Sequence, residues 1–326
     1  MEKIMRKHFK ERYASEGFEM TLNPPLPQSF SIELNNTCNH RCVFCEAHSS
    51  HLKNPMKTFV MDKEFAKRLI DNASNLGIGK KELGLYMNGE PFLYPHLEEI
   101  VKYANEKGTF PYIYLTSNGT VKEFSKLQAV IDAGISSIRF SVNGTNKEDY
   151  KRIHGRDDFD TVVSNIKRLC EYRENKGLNF AISISSVVTP ITQNNEESLT
   201  ELFGDLVDDI LFMKVFKTNR FDNDEEFFYS NSDMNTNDNY KCKSIFESMF
   251  IDAAGHVLLC CTSETYFNAS TYVTQINPNG EIELDKVWNM PMYQKYRRLF
   301  IEGKDLNGTV CENCIIRKRS GQTFAD

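Results

Sequence analysis

"TCNHRCVFCEAH", residues 37–48, places Cys38, Cys42 and Cys45 in one Cys-x3-Cys-x2-Cys run. Three thiols are an incomplete set for a structural zinc ion, which takes four ligands. His40 and His48 stand close enough in sequence to supply the fourth, so zinc is one reading of the run. The other is a centre that keeps one position open on purpose. What flanks the run bears on the choice.

Upstream, "QSFSIEL" (28–34) alternates apolar and polar residues, the period of a strand, and leads straight into the cysteine loop. Downstream, "MDKEFAKRLIDNASNLG" carries a helical stripe of Phe65, Leu69, Ala73 and Leu76, with Asp62 as N-cap and Gly77 as stop. The alternation then repeats. Strands are expected at 82–87, 112–117, 137–144, 180–188 and 209–216. Helices are expected between them: one opened by Pro95, and others at 121–134, 159–177 and 196–207. Six strands with intervening helices predict a parallel sheet with right-handed crossovers, too short for an eightfold barrel and suited to a partial (β/α)6 barrel. In such sheets ligands sit at the C-terminal strand ends, where the cysteine loop, "NGEP" (88–91), "SNGT" (117–120) and "VNGT" (142–145) all fall.

Residues 217–240 turn polar and rich in Asn and Asp, as a linker or surface lid would. Beyond them "SMFIDAAGHVLLCC" (248–261) reads as a hairpin around a Gly-containing turn, and "DKVWNMPMYQKYRRLFIEG" (285–303) as helical. The expected organisation is an N-terminal arm over 1–27, the barrel over 28–216, the polar segment over 217–240, and a small α+β domain over 241–326.

Composition narrows the function classes. A net charge of −6 provides no basic field for a phosphate backbone, which argues against nucleic acid as a partner. The first twenty residues are charged throughout, unlike a signal peptide, and no apolar run reaches the ~20 residues of a membrane span. The expected compartment is therefore the cytoplasm, without a membrane partner, where thiols stay reduced. Clustered cysteines in that setting suggest metal or redox chemistry before disulfides. Of nine cysteines, eight fall into two groups: the opening run, and Cys242, Cys260, Cys261, Cys311 and Cys314. Cys170 lies on a helix stripe with Val162, Val163 and Ile166 and reads as core.

A cysteine triplet directly after the first strand of a partial barrel resembles the radical S-adenosylmethionine (radical SAM) enzymes, and the resemblance extends over most of the chain. "NGEP" is similar to the family's Gly-Gly-Glu-Pro turn after strand two. "SNGT" and "SVNG" (141–144) stand where the family's third and fourth strands line the cofactor site. The resemblance implies that Cys38, Cys42 and Cys45 ligate a 4Fe–4S cluster and that SAM chelates the iron left open. Reduction of that cluster would cleave SAM to methionine and a 5′-deoxyadenosyl radical, which takes hydrogen from a C–H bond.

Roles follow by position. Phe44 matches the aromatic beside the adenine, with a small core residue as the competing reading. Glu90 would accept a charge-assisted hydrogen bond from the SAM amino group, and otherwise is a solvated turn residue. Asn88 stands where the family has Gly before Gly89, and Asn tolerates the left-handed backbone that would preserve such a turn. Ser117, Asn118, Ser141 and Asn143 are candidates for SAM ribose or carboxylate contacts, or strand-end polar residues. Arg152, in "YKRIHG", would meet the SAM carboxylate or substrate, or stay on the surface.

The second cysteine group resembles the SPASM/twitch extension found on a subset of these enzymes. The chain ends soon after Cys311-x2-Cys314, which favours the one-cluster twitch form. The resemblance implies a second, auxiliary 4Fe–4S cluster on Cys242, Cys260, Cys311 and Cys314, with four-cysteine zinc as the rival. Cys261, on the opposite face of a strand from Cys260, is left as a hydrogen-atom donor, an alternative ligand or a buried thiol.

The one-cluster form is similar to that of an aminocyclitol dehydrogenase, which oxidises a secondary alcohol to a ketone. The expected reaction is thus dehydrogenation of a hydroxyl-bearing carbon on a carbohydrate-like small molecule, with flavodoxin or ferredoxin as reductant. Radical epimerisation with Cys261 returning hydrogen is the second reading. Peptide or protein modification is the third, lowered because the stretch before the first strand is too short for a leader-recognition module. A zinc or iron–sulfur binding module without catalysis is the reading outside enzymes.

Overall fold

Strand β1 (Ser29–Ile32) is the hub of a nine-stranded sheet in the order β6-β5-β4-β3-β2-β1-β7-β8-β9. In this computed structural model the described residues are 18–52, 57–216, 221, 225–230, 240–261, 272–312 and 314. Most of the polar segment 217–240, residues 1–17 of the arm and the tail after Cys314 therefore lie outside the described residues. On one side of β1 come β2 (Glu82–Gly84), β3 (Ile113–Ser117), β4 (Ser137–Ser141), β5 (Ala181–Val188) and β6 (Asp209–Lys214), all parallel. The crossovers carry helices α1 (Lys63–Leu76), α2 (Leu97–Glu106), α3 (Phe124–Asp132), α4 (Lys147–His154), α5 (Phe159–Lys176) and α6 (Asn195–Phe203). This is the expected partial barrel.

Local signals account for several boundaries. Asp62 caps α1, its Oδ1 accepting from the Phe65 N–H at 3.0 Å. The helix expected from Pro95 begins later, at Leu97, behind His96 as N-cap. Helix α4 was not expected as an element. Most of its side chains are polar, so its buried residues Tyr150, Ile153 and His154 give only a weak apolar stripe.

The two faces of the parallel strands differ sharply. Phe30, Leu83, Leu115, Ile138, Phe140 and Ile184 join the apolar core with Leu69, Ile100 and Val162 of the helices. Burying each such side chain contributes ~1.5–3 kcal/mol, so this face holds the barrel together. The alternate residues form polar rows across the other face. Thr116 lies beside Arg139, Arg139 beside Ser183, and Ser183 beside Asp209; Ser141 lies beside Ser185. Ser31, Arg139, Ser183 and Ser185 are all buried.

The C-terminal region extends the same sheet. Strand β7 (Ser248–Ile251) pairs in parallel with β1, and β8 (His256–Leu258) returns antiparallel as the expected hairpin. Strand β9 (Tyr272–Gln275), not expected from the sequence, adds an outer antiparallel pair. After the short helix α7 (Ser244–Glu247), the helix expected over 285–303 is two, α8 (Leu284–Trp288) and α9 (Pro291–Ile301). Pro291 opens α9 and has no N–H to continue a preceding helix, which is why the chain breaks there. The arm is anchored here too: Trp288 Nε1 donates to the Pro25 carbonyl at 3.0 Å, and the buried Arg297 donates to those of Ile245 and Leu22 at 2.9 and 3.1 Å.

Candidate active site and auxiliary cysteine pocket

The cysteine loop leaves β1 and is held on two sides by main-chain bonds. The N–H groups of Arg41 and Val43 donate to the carbonyls of His154 and Ile153 at 3.1 and 2.9 Å, satisfying the last turn of α4. Gly155 then turns left-handed (φ 72°), bringing the backbone against the loop. On the other side, the Glu90 N–H donates to the Thr37 carbonyl at 2.8 Å, and Asn35 Nδ2 donates to the Glu90 carbonyl at 3.1 Å. The "NGEP" turn and the cysteine loop are thus one construction.

That construction explains Gly89 and corrects the expectation for Asn88. Among the described residues only glycines have positive φ, so Asn88 does not use a left-handed backbone. Its N–H is instead held by Glu33 Oε1 at 2.6 Å. A Cβ on Gly89 would fall 2.3 Å from the Asn35 carbonyl oxygen and 2.7 Å from Asn36 Cα, both rigid backbone. Gly89→Ala should therefore push the turn off the cysteine loop and destabilise the protein by about 1–3 kcal/mol. Thermal melting checks this, and an unchanged melting temperature would show that the loop gives way freely.

Glu90 is 4% exposed, not a solvated turn residue. Its Oε1 accepts from Ser117 Oγ at 2.8 Å and from the Phe92 N–H at 3.0 Å, and its Oε2 accepts from the Asn118 N–H at 2.7 Å. Burial nevertheless pushes its carboxyl up to about 7, the three hydrogen bonds opposing the shift. A cationic ligand group beside it would favour the carboxylate. Ser117 and Asn118 thus bind the Glu90 side chain, and Asn118 Nδ2 also donates to Asn39 Oδ1 at 2.7 Å.

The remaining candidates divide. Ser141 is half-buried on the polar sheet face. Asn143 is buried between β5 and α4, where Oδ1 accepts from the Val187 N–H at 2.6 Å and Nδ2 faces His154 Nε2 at 3.2 Å. Arg152 is exposed, pairs with Glu226 at 2.8 Å and lies over the Phe227 ring. An exposed pair of this kind contributes about 0–1 kcal/mol. Phe44 packs on a second apolar cluster of Val43, Ile153, Val215, Phe221, Phe227 and Phe228. Phe221, Phe227 and Phe228 of the 217–240 segment are thereby seated against the cysteine loop.

Cys38, Cys42 and Cys45 are half-buried on this loop. Burial pushes Cys38 up to about 12 and raises Cys42 well above the usual thiol range, each sulfur also disfavouring charge on its neighbours. Sulfurs so placed become thiolates when a metal cation compensates the charge, which fits an iron–sulfur donor set. His40 is not turned toward an open fourth position. Its Nδ1 lies 3.2 Å from His154 Nδ1 and its Nε2 lies 3.5 Å from the Asp158 carboxylate.

Cys242, Cys260, Cys311 and Cys314 line one pocket, together with Tyr240, Leu259 and Phe300. Residues far apart in sequence are gathered there, and the donor set suits a closed four-thiolate centre. Burial pushes Cys242 up to about 12, with added repulsion from Cys314 and Cys261. Cys261 stands near these sulfurs without lining the pocket. Cys170 is buried on α5, as expected, its thiol donating to the Leu206 carbonyl.

Sequence reading passed over Glu33, Asn35, Asn39 and His154, which tie the loops together. "YKRIHG" held the signal for His154 beside Arg152, since Gly155 marks a helix end there.

The radical SAM superfamily model matches residues 32–203, just over half of the chain, and the chain belongs to that superfamily. The iron–sulfur cluster-binding domain known as SPASM matches residues 242–315. The protein is thus an enzyme whose cofactors are SAM, a 4Fe–4S cluster and auxiliary iron–sulfur chemistry in its C-terminal region. Among curated proteins it is similar to a GTP 3′,8-cyclase of Chlorobaculum tepidum, 27% identical over 138 residues, 42% of this chain and 39% of the relative. A probable GTP 3′,8-cyclase of Thermococcus kodakarensis is 32% identical over 155 residues, 46% of each chain. An AdoMet-dependent heme synthase of Methanosarcina barkeri is 26% identical over 178 residues, 54% of this chain and 46% of the relative. The chain spans less than half the length of each of these relatives.

Solved structures match more of the chain. BtrN in complex with AdoMet and 2-DOIA is 18% identical, covering 89% of this chain and 93% of BtrN, with a TM-score of 0.54. Streptococcus suis SuiB bound to S-adenosylmethionine is 15% identical, covering 90% and 72%, with a TM-score of 0.65. Native anSMEcpe with bound AdoMet is 16% identical, covering 84% of each chain, with a TM-score of 0.59. At these identities the likeness is one of fold. Among the described residues no helix is long and apolar enough to cross a membrane.

Proposed function

We propose that this enzyme dehydrogenates a hydroxyl-bearing carbon of a carbohydrate or aminocyclitol-like small molecule. When bound, the cofactors supply a 5′-deoxyadenosyl radical made with one electron from a flavodoxin- or ferredoxin-type reductant. Loss of a hydrogen atom from the carbon, of the hydroxyl proton to solvent, and of one electron to the centre that Cys242, Cys260, Cys311 and Cys314 would hold would leave a ketone. In this reading Cys38, Cys42 and Cys45 hold the first cluster, and Cys242, Cys260, Cys311 and Cys314 hold the second. Glu90, oriented by Ser117 and Asn118, takes the SAM ammonium in a charge-assisted bond.

The polar sheet face is the observation that carries the substrate class. A buried hydroxyl costs stability unless something bonds to it, and an apolar substrate would leave Ser183 on this face unsatisfied. Ser183 Oγ finds no hydrogen-bond partner within the protein. Tyr86 and Tyr114, with rings 5.3 Å apart, add phenol groups beside the serine rows. The fold shared with BtrN, whose structure holds 2-DOIA, is consistent with this reading.

Anaerobic reconstitution followed by incubation with aminocyclitols, SAM and dithionite tests it. About eight irons per chain, 5′-deoxyadenosine and a ketone product support it; bound zinc without 5′-deoxyadenosine would sink it. Cys261→Ala separates the two leading reactions. A dehydrogenase keeps its rate, whereas an epimerase that draws hydrogen from that thiol stalls after abstraction and takes up no solvent deuterium.

A further inference from the structure

His154 ends α4 fully buried, stacked on Tyr150 with ring centroids 4.0 Å apart and planes 18° apart. Its Nε2 receives the Asn143 backbone N–H at 3.3 Å and faces Asn143 Nδ2 at 3.2 Å. The orientation of that amide follows from its Oδ1, which accepts from the Val187 N–H at 2.6 Å. A ring nitrogen that accepts from a main-chain N–H carries no proton, so the imidazole proton sits on Nδ1. Nδ1 lies 3.4 Å from Cys42 Sγ and 3.2 Å from His40 Nδ1. His40 Nε2 lies 3.5 Å from the Asp158 carboxylate, so His40 Nδ1 is a second acceptor for the His154 proton, which is shared between it and Cys42 Sγ.

The ligating atoms of His40, Cys42 and His154 all lie within 4.8 Å of one another, a spacing that would suit a metal ion. The tautomer argues otherwise. A protonated Nδ1 has no lone pair for a metal, so the trio is a hydrogen-bonded group around one sulfur.

We infer that His154 is a positioning residue that donates a hydrogen bond from Nδ1 to the Cys42 sulfur and raises the reduction potential of the cluster held there. The inference rests on Cys42 being a cluster ligand. Reduction adds negative charge to the cluster, and an N–H dipole aimed at a ligand sulfur favours the more negative state. The β5 backbone, through Val187 and Asn143, holds the dipole in place.

The test is a potentiometric titration of the reconstituted full chain, following the paramagnetic signal that changes when SAM is added. His154→Leu and His154→Gln lack a donor at the Nδ1 position. Each should lower the midpoint by about a tenfold change in the reduction equilibrium, 59 mV for a one-electron couple. His154→Asn places an amide nitrogen at the Nδ1 position and should stay at the wild-type potential. Equal potentials in all four proteins overturn the inference, as does an equal shift in the three variants. Loss of this cluster in His154→Asn also overturns it, since the histidine would then be a ligand or a structural prop. A wild-type chain that holds no SAM-responsive cluster overturns the ligand reading itself, an outcome distinct from unchanged potentials in a loaded site.

Discussion

Joint replacement of Cys38, Cys42 and Cys45 by alanine is expected to abolish SAM cleavage and to remove about four of about eight irons. The fold should survive, because the loop is fastened by its backbone. The N–H groups of Arg41 and Val43 reach α4, the Thr37 carbonyl receives the Glu90 N–H, and Asn36 Nδ2 donates to the Lys57 carbonyl at 2.7 Å. None of these bonds uses a cysteine side chain. Far-ultraviolet circular dichroism should match wild type, while 5′-deoxyadenosine falls below detection. Cleavage that persists in the triple variant would mean that the first cluster is held elsewhere. Loss of all iron would mean that the two centres are not independent.

The distance between partners in sequence decides what could be read before the structure. Asp62 as N-cap and the hairpin around Gly255 are encoded within a few residues, and both stand where expected. The break at Pro291 was equally local, readable from a proline that cannot continue a helix. The pairing of β7 with β1 was not: Phe30 meets Met249 across most of the chain, and no periodicity in either strand names its neighbour. The site follows the same rule. The cysteine run and the "NGEP" turn are contiguous motifs, but the reason for Gly89 is a carbonyl at Asn35, and His154 meets Cys42 across 112 residues. Glu90 was legible as an acid in a shaped turn. Its burial and its three donors come from Ser117 at the end of β3, from Asn118 after it and from the short helix Pro91–Leu93, whose positions depend on the assembled sheet.

Alanine at Cys242, Cys260, Cys311 and Cys314 should have the opposite signature. SAM cleavage continues, because Cys38, Cys42, Cys45 and Glu90 do not line this pocket. Product formation is lost, because a substrate radical then has no acceptor for its second electron. The pocket walls have supports of their own. Tyr293 donates to the Leu258 carbonyl at 3.1 Å, and Arg297 is held by the Ile245 carbonyl and stacks over Trp288 at 4.2 Å. With alanine at all four positions no thiolate is left to be compensated, so the region can stay folded without the cluster. The variant should retain about four irons, form 5′-deoxyadenosine and yield no ketone. Ketone formation at the wild-type rate would remove the electron-acceptor role, and so would zinc recovered from this pocket in wild-type protein purified without oxygen. Zinc has no second oxidation state to take the electron, so a closed zinc centre would leave these four cysteines as a structural clasp.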